Sequence, residues 1–209
     1  MGQVKMAAPM YKRPLDLTIL LAAHLLALPI WALLWIGIPI LIVLGDGFPV
    51  FYRQERIGRK GRFFYAFKFR TMVKNADVIG PPWTTTDDPR LTRVGRLLRK
   101  TALDELPQVI NILKGEMSFV GPRPLGEQEH QNLCKQIAGF EQRLELYPGL
   151  TGLAQIYTNR EDSESKLFYD LKYANQMSLL LDVKLIFHSV WVTLRARWER
   201  QRDRLKEER

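Results

Sequence analysis

A run of 29 residues, Leu17 to Gly45, contains no Asp, Glu, Lys or Arg. A helix needs about 20 apolar residues to cross a hydrocarbon core, so this run belongs in or on a membrane. Lys12 and Arg13 stand just before it, and Arg53, Arg56, Arg59, Lys60 and Arg62 follow soon after. Positive charge usually marks the cytoplasmic side of a membrane segment. Cations at both flanks therefore set a simple crossing against its own ends. Pro14 suits the first turn of a helix, where its missing N–H would be unpaired anyway. Pro29 sits in the middle of the run, where a proline deletes one hydrogen bond and clashes with the preceding turn. A helix over about 15–44 is expected to kink there; Pro39 lies too near the end to divide it evenly. Unbroken, the run would be roughly 43 Å long, against a core of about 30 Å. Two shapes answer this: a tilted, kinked span, or two half-helices that enter, bend at Pro29 and leave on the same side. The cationic flanks favour the second.

Outside this run the chain is polar and basic, with a net charge of +9. Such charge is drawn to an anionic leaflet, and the same charge would serve nucleic acid or phosphorylated small molecules. The single cysteine, Cys134, excludes an internal disulfide and fits a reducing compartment. His130 and Cys134, four apart, share a helix face, but two ligands do not make a zinc site. No P-loop, dinucleotide-binding glycine fingerprint or G-x-S-x-G elbow is present. The apolar run is too long for a cleaved signal peptide and lacks a clear small-x-small cleavage site.

The fold class expected is α+β: mostly helical, with a small β-hairpin. Residues 48–72 read as that hairpin, because Val50, Tyr52, Phe63, Phe64, Tyr65, Phe67 and Phe69 favour strands and Gly58-Arg59-Lys60-Gly61 marks the turn. Breakers at Gly80-Pro81-Pro82 and Asp87-Asp88-Pro89 make 74–92 a loop. Helices are expected over about 92–100, 104–114 (stopped by Gly115), 126–145, 164–175 and 180–205. Gly121-Pro122-Arg123-Pro124 and Tyr147-Pro148-Gly149-Leu150-Thr151-Gly152 read as rigid loops. The last helix begins apolar and ends in alternating charge. That suits an interfacial helix with a solvated tail, or a core-packing helix with a polar end.

Asp104 and Glu105 lead the chemical candidates. They open a helix, whose N-terminus stabilises anions and binds phosphate, and Asp is a competent nucleophile toward phosphorus. Acidic residues also favour first helical turns for purely local reasons, so the surroundings decide. Arg93, Arg96, Arg99 and Lys100 lie upstream, Lys114 and Arg123 downstream. Lys68 and Arg70, two apart on a strand, point the same way. Arg grips phosphate with a planar fork and Lys acts as a point charge. Prolines on either side hold Arg123 on a stiff backbone. Carboxylates among cations beside a membrane suggest a site for a phosphorylated substrate and a divalent metal. Oxygen-only ligation suits Mg²⁺. The bland alternative is a charge-balanced surface network.

Several segments together carry a resemblance. Phe-Lys-Phe-Arg-Thr-Met at 67–72, Leu-Asp-Glu-Leu-Pro-Gln at 103–108, Lys-Gly-Glu-Met-Ser-Phe-Val-Gly-Pro-Arg-Pro at 114–124 and Pro-Gly-Leu-Thr-Gly-Leu-Ala-Gln at 148–155 resemble the bacterial sugar transferases, the monotopic phosphoglycosyl transferases. Lys12-Arg13-x-x-Asp16, Gln54-x-Arg56-x-Gly58 and Tyr169-Asp170-x-x-Tyr173, with Asn175, Ser178 and Asp182 downstream, also fit. The resemblance covers about residues 10–195, and its ordered combination is far more specific than any one short motif.

The resemblance implies transfer of a phosphosugar from a UDP-sugar to polyprenyl phosphate, usually undecaprenyl phosphate, with release of UMP. This would be the first membrane step of a glycan pathway, feeding downstream glycosyltransferases. It implies a two-step mechanism in which Asp104 attacks the sugar-linked phosphorus and the lipid phosphate then attacks the aspartyl intermediate. Glu105 would help bind Mg²⁺, together with Asp104, or manage the acceptor's proton. Lys68, Arg70, Arg99 and Arg123 would hold phosphates, and Pro122 and Pro124 would fix the loop carrying Arg123. Lys12 and Arg13 would anchor the start of the membrane helix. The family further implies a re-entrant helix broken at Pro29, lying on the cytoplasmic face of the bacterial inner membrane with both ends in the cytoplasm. Residues 1–46 would form the basic lead and membrane helix, and 47–209 the catalytic domain, as a small catalytic-domain-only form. Two departures stand out. Ala102 occupies a position where the family often has Ser, and Leu28 precedes Pro29 where some members carry Ser-Pro.

A different class of protein, a membrane-attached basic adaptor for anionic lipid or nucleic acid, would use the aromatic and basic residues between Phe63 and Arg70. It gives no reason for Asp104-Glu105 and Arg123, and nucleic acid is not an expected partner. An inactive relative is disfavoured because no expected catalytic position is missing. The sugar has no motif behind it. The loops near 74–90 and 155–165 are the places expected to choose it, and the sequence says nothing of the oligomeric state.

Overall fold

In the computed structural model, which describes residues 9–80, 88–158 and 162–194, the apolar run forms two helices. Helices α1 (Lys12–Leu26) and α2 (Leu28–Asp46) are separated by Ala27, whose φ of −120° and ψ of 29° are not helical. The interruption falls two residues before Pro29, which sits in the first turn of α2. A proline ring disturbs the backbone that precedes it, so the break lies on its N-terminal side. Pro39 is carried inside α2 without ending it.

Both arms pack on the same body. Leu20 of α1 and Trp31 and Trp35 of α2 join Phe64, Val109, Ile112 and Met117 in one apolar cluster. Ile38 and Ile42 join Phe69 and Leu98 in another. Around the break, by contrast, Leu21, Leu25, Leu26, Leu28, Ile30 and Leu33 are exposed. The rings of His24 and Trp31 stack across it, 4.4 Å between centroids. Among the described residues α2 is the one helix long and apolar enough to cross a bilayer, with a mean hydropathy of 2.3.

The hairpin is present as expected. Strands β1 (Phe51–Ile57) and β2 (Phe63–Phe69) pair antiparallel, from Phe51 opposite Phe69 to Ile57 opposite Phe63. Residues directly opposite share a face. Tyr52, Gln54 and Arg56 therefore lie on the same face as Phe64, Ala66 and Lys68. After a short turn of helix, α3 (Ala76–Ile79), comes α4 (Arg93–Lys100), capped by Thr92, whose hydroxyl accepts the Gly95 N–H at 2.9 Å. A Cβ on Gly95 would stand 1.9 Å from the Thr71 carbonyl oxygen, so only glycine lets α4 approach the chain leaving β2 this closely.

The helix expected at 104–114 is a 3-10 segment, Leu103–Gln108, followed by α5 (Val109–Lys114). It ends at Gly115, whose φ of 79° is the left-handed geometry of a helix stop. Asn111, wholly buried, fastens α5 to the edge of β2: its amide donates to Tyr65 O at 2.7 Å and accepts the Phe67 N–H at 3.1 Å. A side chain here takes the place of a third strand.

The two Pro/Gly segments are tied into a small sheet. The first follows β3 (Ser118–Val120) and the second contains β4 (Gly149–Thr151), and the two strands pair in parallel. Gly121 N donates to Thr151 O at 2.8 Å, and Gly149 N to Pro122 O at 2.9 Å. A Cβ on Gly121 would lie 2.1 Å from Tyr147 O, so the close approach depends on glycine. The helix expected over 126–145 divides at Gly139 (φ 82°) into α6 (Glu127–Gln136) and a 3-10 segment, Phe140–Glu145. On α6, His130 and Cys134 face one another, Nε2 to Sγ 3.4 Å. Then follow α7 (Leu153–Tyr157), α8 (Ser163–Gln176) and α9 (Leu179–Leu194). α9 buries Asp182, Leu185 and Val192 and exposes Leu179, Leu180, Phe187, Val190 and Trp191. The alternating-charge tail expected to continue it to 205 lies outside the described residues.

Candidate active site

The chain reaches Asp104 and Glu105 through Ala102, which has a left-handed φ of 55°. For a residue with a Cβ that conformation costs roughly 1–2 kcal/mol, and such strain gathers at functional sites. It starts the 3-10 segment abruptly. Asp104 turns inward, 8% exposed, with no hydrogen-bond partner among the described residues. Glu105 Oε1 accepts from Lys68 Nζ at 2.9 Å and from Arg123 Nη2 at 2.8 Å. Lys68 comes from β2 and Arg123 from the loop after β3, so Glu105 joins three separate elements.

The two carboxyls respond oppositely to this setting. Burial and the neighbouring Glu105 push the Asp104 pKa up to about 6, against the pull of Lys68, Arg99 and Arg123. Burial also works against Glu105, but Arg123 and Lys68 and their hydrogen bonds hold it well below the usual carboxylate range. Arg123 is in turn held charged by Glu105. Arg99, at the end of α4, donates from Nε to Thr71 Oγ1 at 2.9 Å and stands near enough to Asp104 to act on its charge.

The expected phosphate-holding set is thus partly assembled. Lys68, Arg99 and Arg123 gather at the carboxyl pair. Arg70 does not reach it. It is buried and closes the end of α2, with Nη2 donating to Asp46 O at 3.0 Å and Gly47 O at 2.6 Å and lying 3.0 Å from Asp46 Oδ2. Strand parity says nothing about which element lies opposite each position. The 3-10 segment lies opposite Lys68, and the end of α2 lies beside Arg70.

Pro122 and Pro124 flank Arg123 as expected, but the backbone there has a second support. Arg143 donates from Nη2 to Arg123 O at 2.9 Å and from Nε to Asp170 Oδ2 at 2.9 Å. Arg143 and Asp170 are both buried, on the second 3-10 segment and on α8. Asp170 is visible in the sequence as part of Tyr169-Asp170-x-x-Tyr173. Arg143 carries no signal, because its role depends on a fold that brings three distant segments together. Arg56, on the Lys68 face of the hairpin, is a further cation near Arg123 and Glu105.

Lys12 and Arg13, expected as basic anchors against lipid, are engaged with the protein instead. Lys12 is 4% exposed, and its ammonium donates to Val120 O at 2.6 Å, Tyr173 Oη at 2.7 Å and Asp182 Oδ2 at 3.1 Å. A buried ammonium must be paired, and Asp182 supplies the charge. Arg13 donates to the Ile112 and Leu113 carbonyls at the end of α5. One turn on, Asp16 accepts from Ser118 Oγ at 3.0 Å and Phe119 N at 3.1 Å. The first turns of α1 are therefore bolted to β3, α5, α8 and α9.

A divalent metal fits this donor set in one particular way. Asp104 offers a carboxylate that no N–H of the described residues occupies, and the two cations on Glu105 share a single oxygen, Oε1. No group of three or more His, Cys, Asp or Glu converges among the described residues. The carboxylates that remain are two, Asp104 and Glu105, the number through which Mg²⁺ would bind with waters or phosphate oxygens filling the rest.

Comparison with known proteins gives a consistent picture. Residues 7–196 match the profile of the family described as Bacterial sugar transferase. The chain is 40% identical to Exopolysaccharide production protein ExoY of Sinorhizobium fredii, over 90% of this chain and 88% of that protein. It is 34% identical to Undecaprenyl-phosphate galactose phosphotransferase of Salmonella typhimurium, over 91% of this chain but 42% of that protein. It is 40% identical to UDP-glucose:undecaprenyl-phosphate glucose-1-phosphate transferase of Xanthomonas campestris pv. campestris, over 75% of this chain and 34% of that protein. The chain thus spans less than half the length of the latter two relatives. The match runs through every segment that builds the carboxyl pair and its cations, and this chain belongs to the bacterial sugar transferase family.

Proposed function

We propose that this protein transfers a sugar phosphate from a UDP-sugar to undecaprenyl phosphate, releasing UMP, as the first membrane step of glycan assembly. The observation that carries the reading is the pairing of a buried, unoccupied Asp104 with a Glu105 clamped between Lys68 and Arg123. Phosphoryl transfer asks chiefly for positioning and charge neutralisation, and these side chains provide both. Relatives of this chain are named for undecaprenyl-phosphate phosphotransfer.

In the first step an Asp104 carboxylate oxygen attacks the phosphorus that bears the sugar. The new O–P bond forms as the bond to the UMP oxygen breaks, and UMP leaves with the electron pair. In the second step an oxygen of the lipid phosphate attacks the same phosphorus and frees Asp104. Lys68, Arg99 and Arg123 hold the donor's phosphate oxygens, and Lys68 and Arg99 stay on the transferring phosphate in the second step. Glu105 keeps Lys68 and Arg123 in place. Asp104 and Glu105 would also hold Mg²⁺, which when bound supplies positive charge to the transferring phosphoryl group.

The same reading puts the break at Ala27 inside the cytoplasmic leaflet of the bacterial inner membrane, with both arms returning to the cytoplasmic side and the catalytic body beginning near residue 47. Its support is the apolar, exposed tip between two arms whose outer turns pack on one body. The exposed apolar stripe of α9 supports an interfacial position for that helix. Membrane lipids, the UDP-sugar and undecaprenyl phosphate are then the partners, and downstream glycosyltransferases take the product.

The test is UMP release from a panel of UDP-sugars by purified protein with Mg²⁺ and undecaprenyl phosphate, run beside Asp104→Asn. UMP from one donor, dependent on lipid and metal and absent in the variant, supports the reaction. Folded protein that releases no UMP from any donor would favour the basic adaptor instead.

A further inference from the structure

Arg56 is a poorly compensated cation beside the site. It lies on β1 opposite Phe64, on the same hairpin face as Lys68. Its side chain is 16% exposed. Among the described residues it makes one hydrogen bond, from Nη2 to the Gln54 amide oxygen at 2.5 Å. The carboxylate nearest to pairing with it, Glu129, is 4.0 Å away and half exposed. Glu105 attracts it, but that carboxylate already serves Lys68 and Arg123, and Arg123 repels it.

A guanidinium offers five N–H donors, and a largely buried one without a full counter-charge is unfavourable. A bound anion would relieve this. Position then says which anion. Arg99 acts on Asp104, Lys68 and Arg123 share Glu105, and Arg56, on the Lys68 face of the hairpin, stands within reach of the charges of Arg123 and Glu105. Lys68, Arg99, Arg123 and Arg56 thus all act on the carboxyl pair or on one another, more cations than one phosphate needs.

We infer that Arg56 and Arg123 form a second phosphate subsite, which holds the nucleotide-side phosphate of the donor and the UMP that leaves. The inference rests on the proposed reaction. Under it, the sugar-bearing phosphate sits at Asp104 with Lys68 and Arg99. The adjoining phosphate, one bridging oxygen away, sits between the two forked guanidinium groups. Arg suits that place because its fork binds phosphate in two-point fashion, which Lys does not. The lipid acceptor carries a single phosphate and has no need of this second subsite.

The test compares wild type, Arg56→Gln, Arg56→Lys and, as a control for net charge, Arg62→Gln at an exposed position of the same hairpin. UMP binding is measured by calorimetry. The KM for the donor, the KM for undecaprenyl phosphate and product inhibition by UMP are measured on the same proteins. Arg56→Gln should weaken UMP binding and raise the donor KM by about tenfold or more, the loss of charge-assisted hydrogen bonds to phosphate. The acceptor KM should stay within about twofold, Arg56→Lys should recover part of the loss, and Arg62→Gln should change neither constant. UMP affinity unchanged in Arg56→Gln, or an equal rise in both KM values, overturns the subsite. If Arg56→Gln does not fold, unchanged UMP affinity in Arg56→Lys overturns it. Failure of the underlying reaction looks different: wild type itself would neither bind UMP saturably nor release it from any donor.

Discussion

Asp104 and Glu105 are bonded neighbours whose carboxyls are driven in opposite directions. Asp104 faces inward without a hydrogen-bond partner among the described residues and is raised to about 6. Glu105, one residue on, accepts from two cations through one oxygen and is held as an anion. A pair of acids pushed apart by their surroundings divides the work between them. One carboxylate stays without a partner among the described residues, and the other fixes the charges around it.

Removing the Asp104 charge should stabilise the protein while it abolishes turnover. The folded-state pKa of about 6 lies above the ordinary 3.8, so folding favours the neutral acid. That contribution is fully present below about pH 4 and is lost as pH rises through about 6. Asp104→Asn should therefore be more stable than wild type by about 2–3 kcal/mol at pH near 8, with the gap closing near pH 4. Unfolding followed at both pH values measures this. A variant less stable than wild type at the higher pH would remove the electrostatic account.

The same titration should appear in the rate. A carboxylate must be ionised to attack, so kcat/KM for the UDP-sugar should climb through an apparent pKa of about 6. Extra Mg²⁺ should move that limb to lower pH, because a cation favours the charged form. Profiles at two metal concentrations check both points, and a limb that ignores Mg²⁺ would separate the metal from Asp104.

Lys12 should behave as a core residue. Lys12→Met leaves Asp182, 0% exposed, without its cation. Breaking a buried pair from one side costs about 3–5 kcal/mol, whereas a lysine lying against lipid is worth about 1 kcal/mol. Pairing Lys12→Met with Asp182→Asn should restore part of the loss. Thermal unfolding of the single and double variants decides the matter, and a single-variant loss near 1 kcal/mol would return Lys12 to the membrane surface.

Arg143 should act through Arg123. Arg143→Met leaves Asp170 buried without its partner and the Arg123 carbonyl unheld. Stability should fall by about 3–5 kcal/mol. Adding Asp170→Leu should recover that stability, but the donor KM should stay raised by about tenfold, because a misplaced clamp costs positioning. Recovery of both together would mean that Arg143 has only a structural role.

Features set by neighbouring residues are legible in the sequence. The Gly58–Gly61 turn, the helix near 92–100, the stop at Gly115 and the acidic pair opening its turn each depend on residues a few positions apart. The break before Pro29 follows from the geometry of one ring. The Pro/Gly segments were harder. Gly121 and Gly149 mark close backbone approach, but neither names the other as its partner.

By itself, then, the chain's sequence determined an apolar element long enough to enter a bilayer, a hairpin, and the acids and cations from which the candidate site is made. These rest on periodicity, charge and turn chemistry, whose range is one or two turns of chain. Only the tertiary structure decided where each charge is used. Lys12 meets Asp182 from 170 residues away, Arg143 props the loop of Arg123, and Arg70 leaves the site to close α2. The physical reason is desolvation. A buried charge needs an opposite charge or hydrogen-bond partners, and which group can supply them is settled by packing between elements that sequence spacing does not connect.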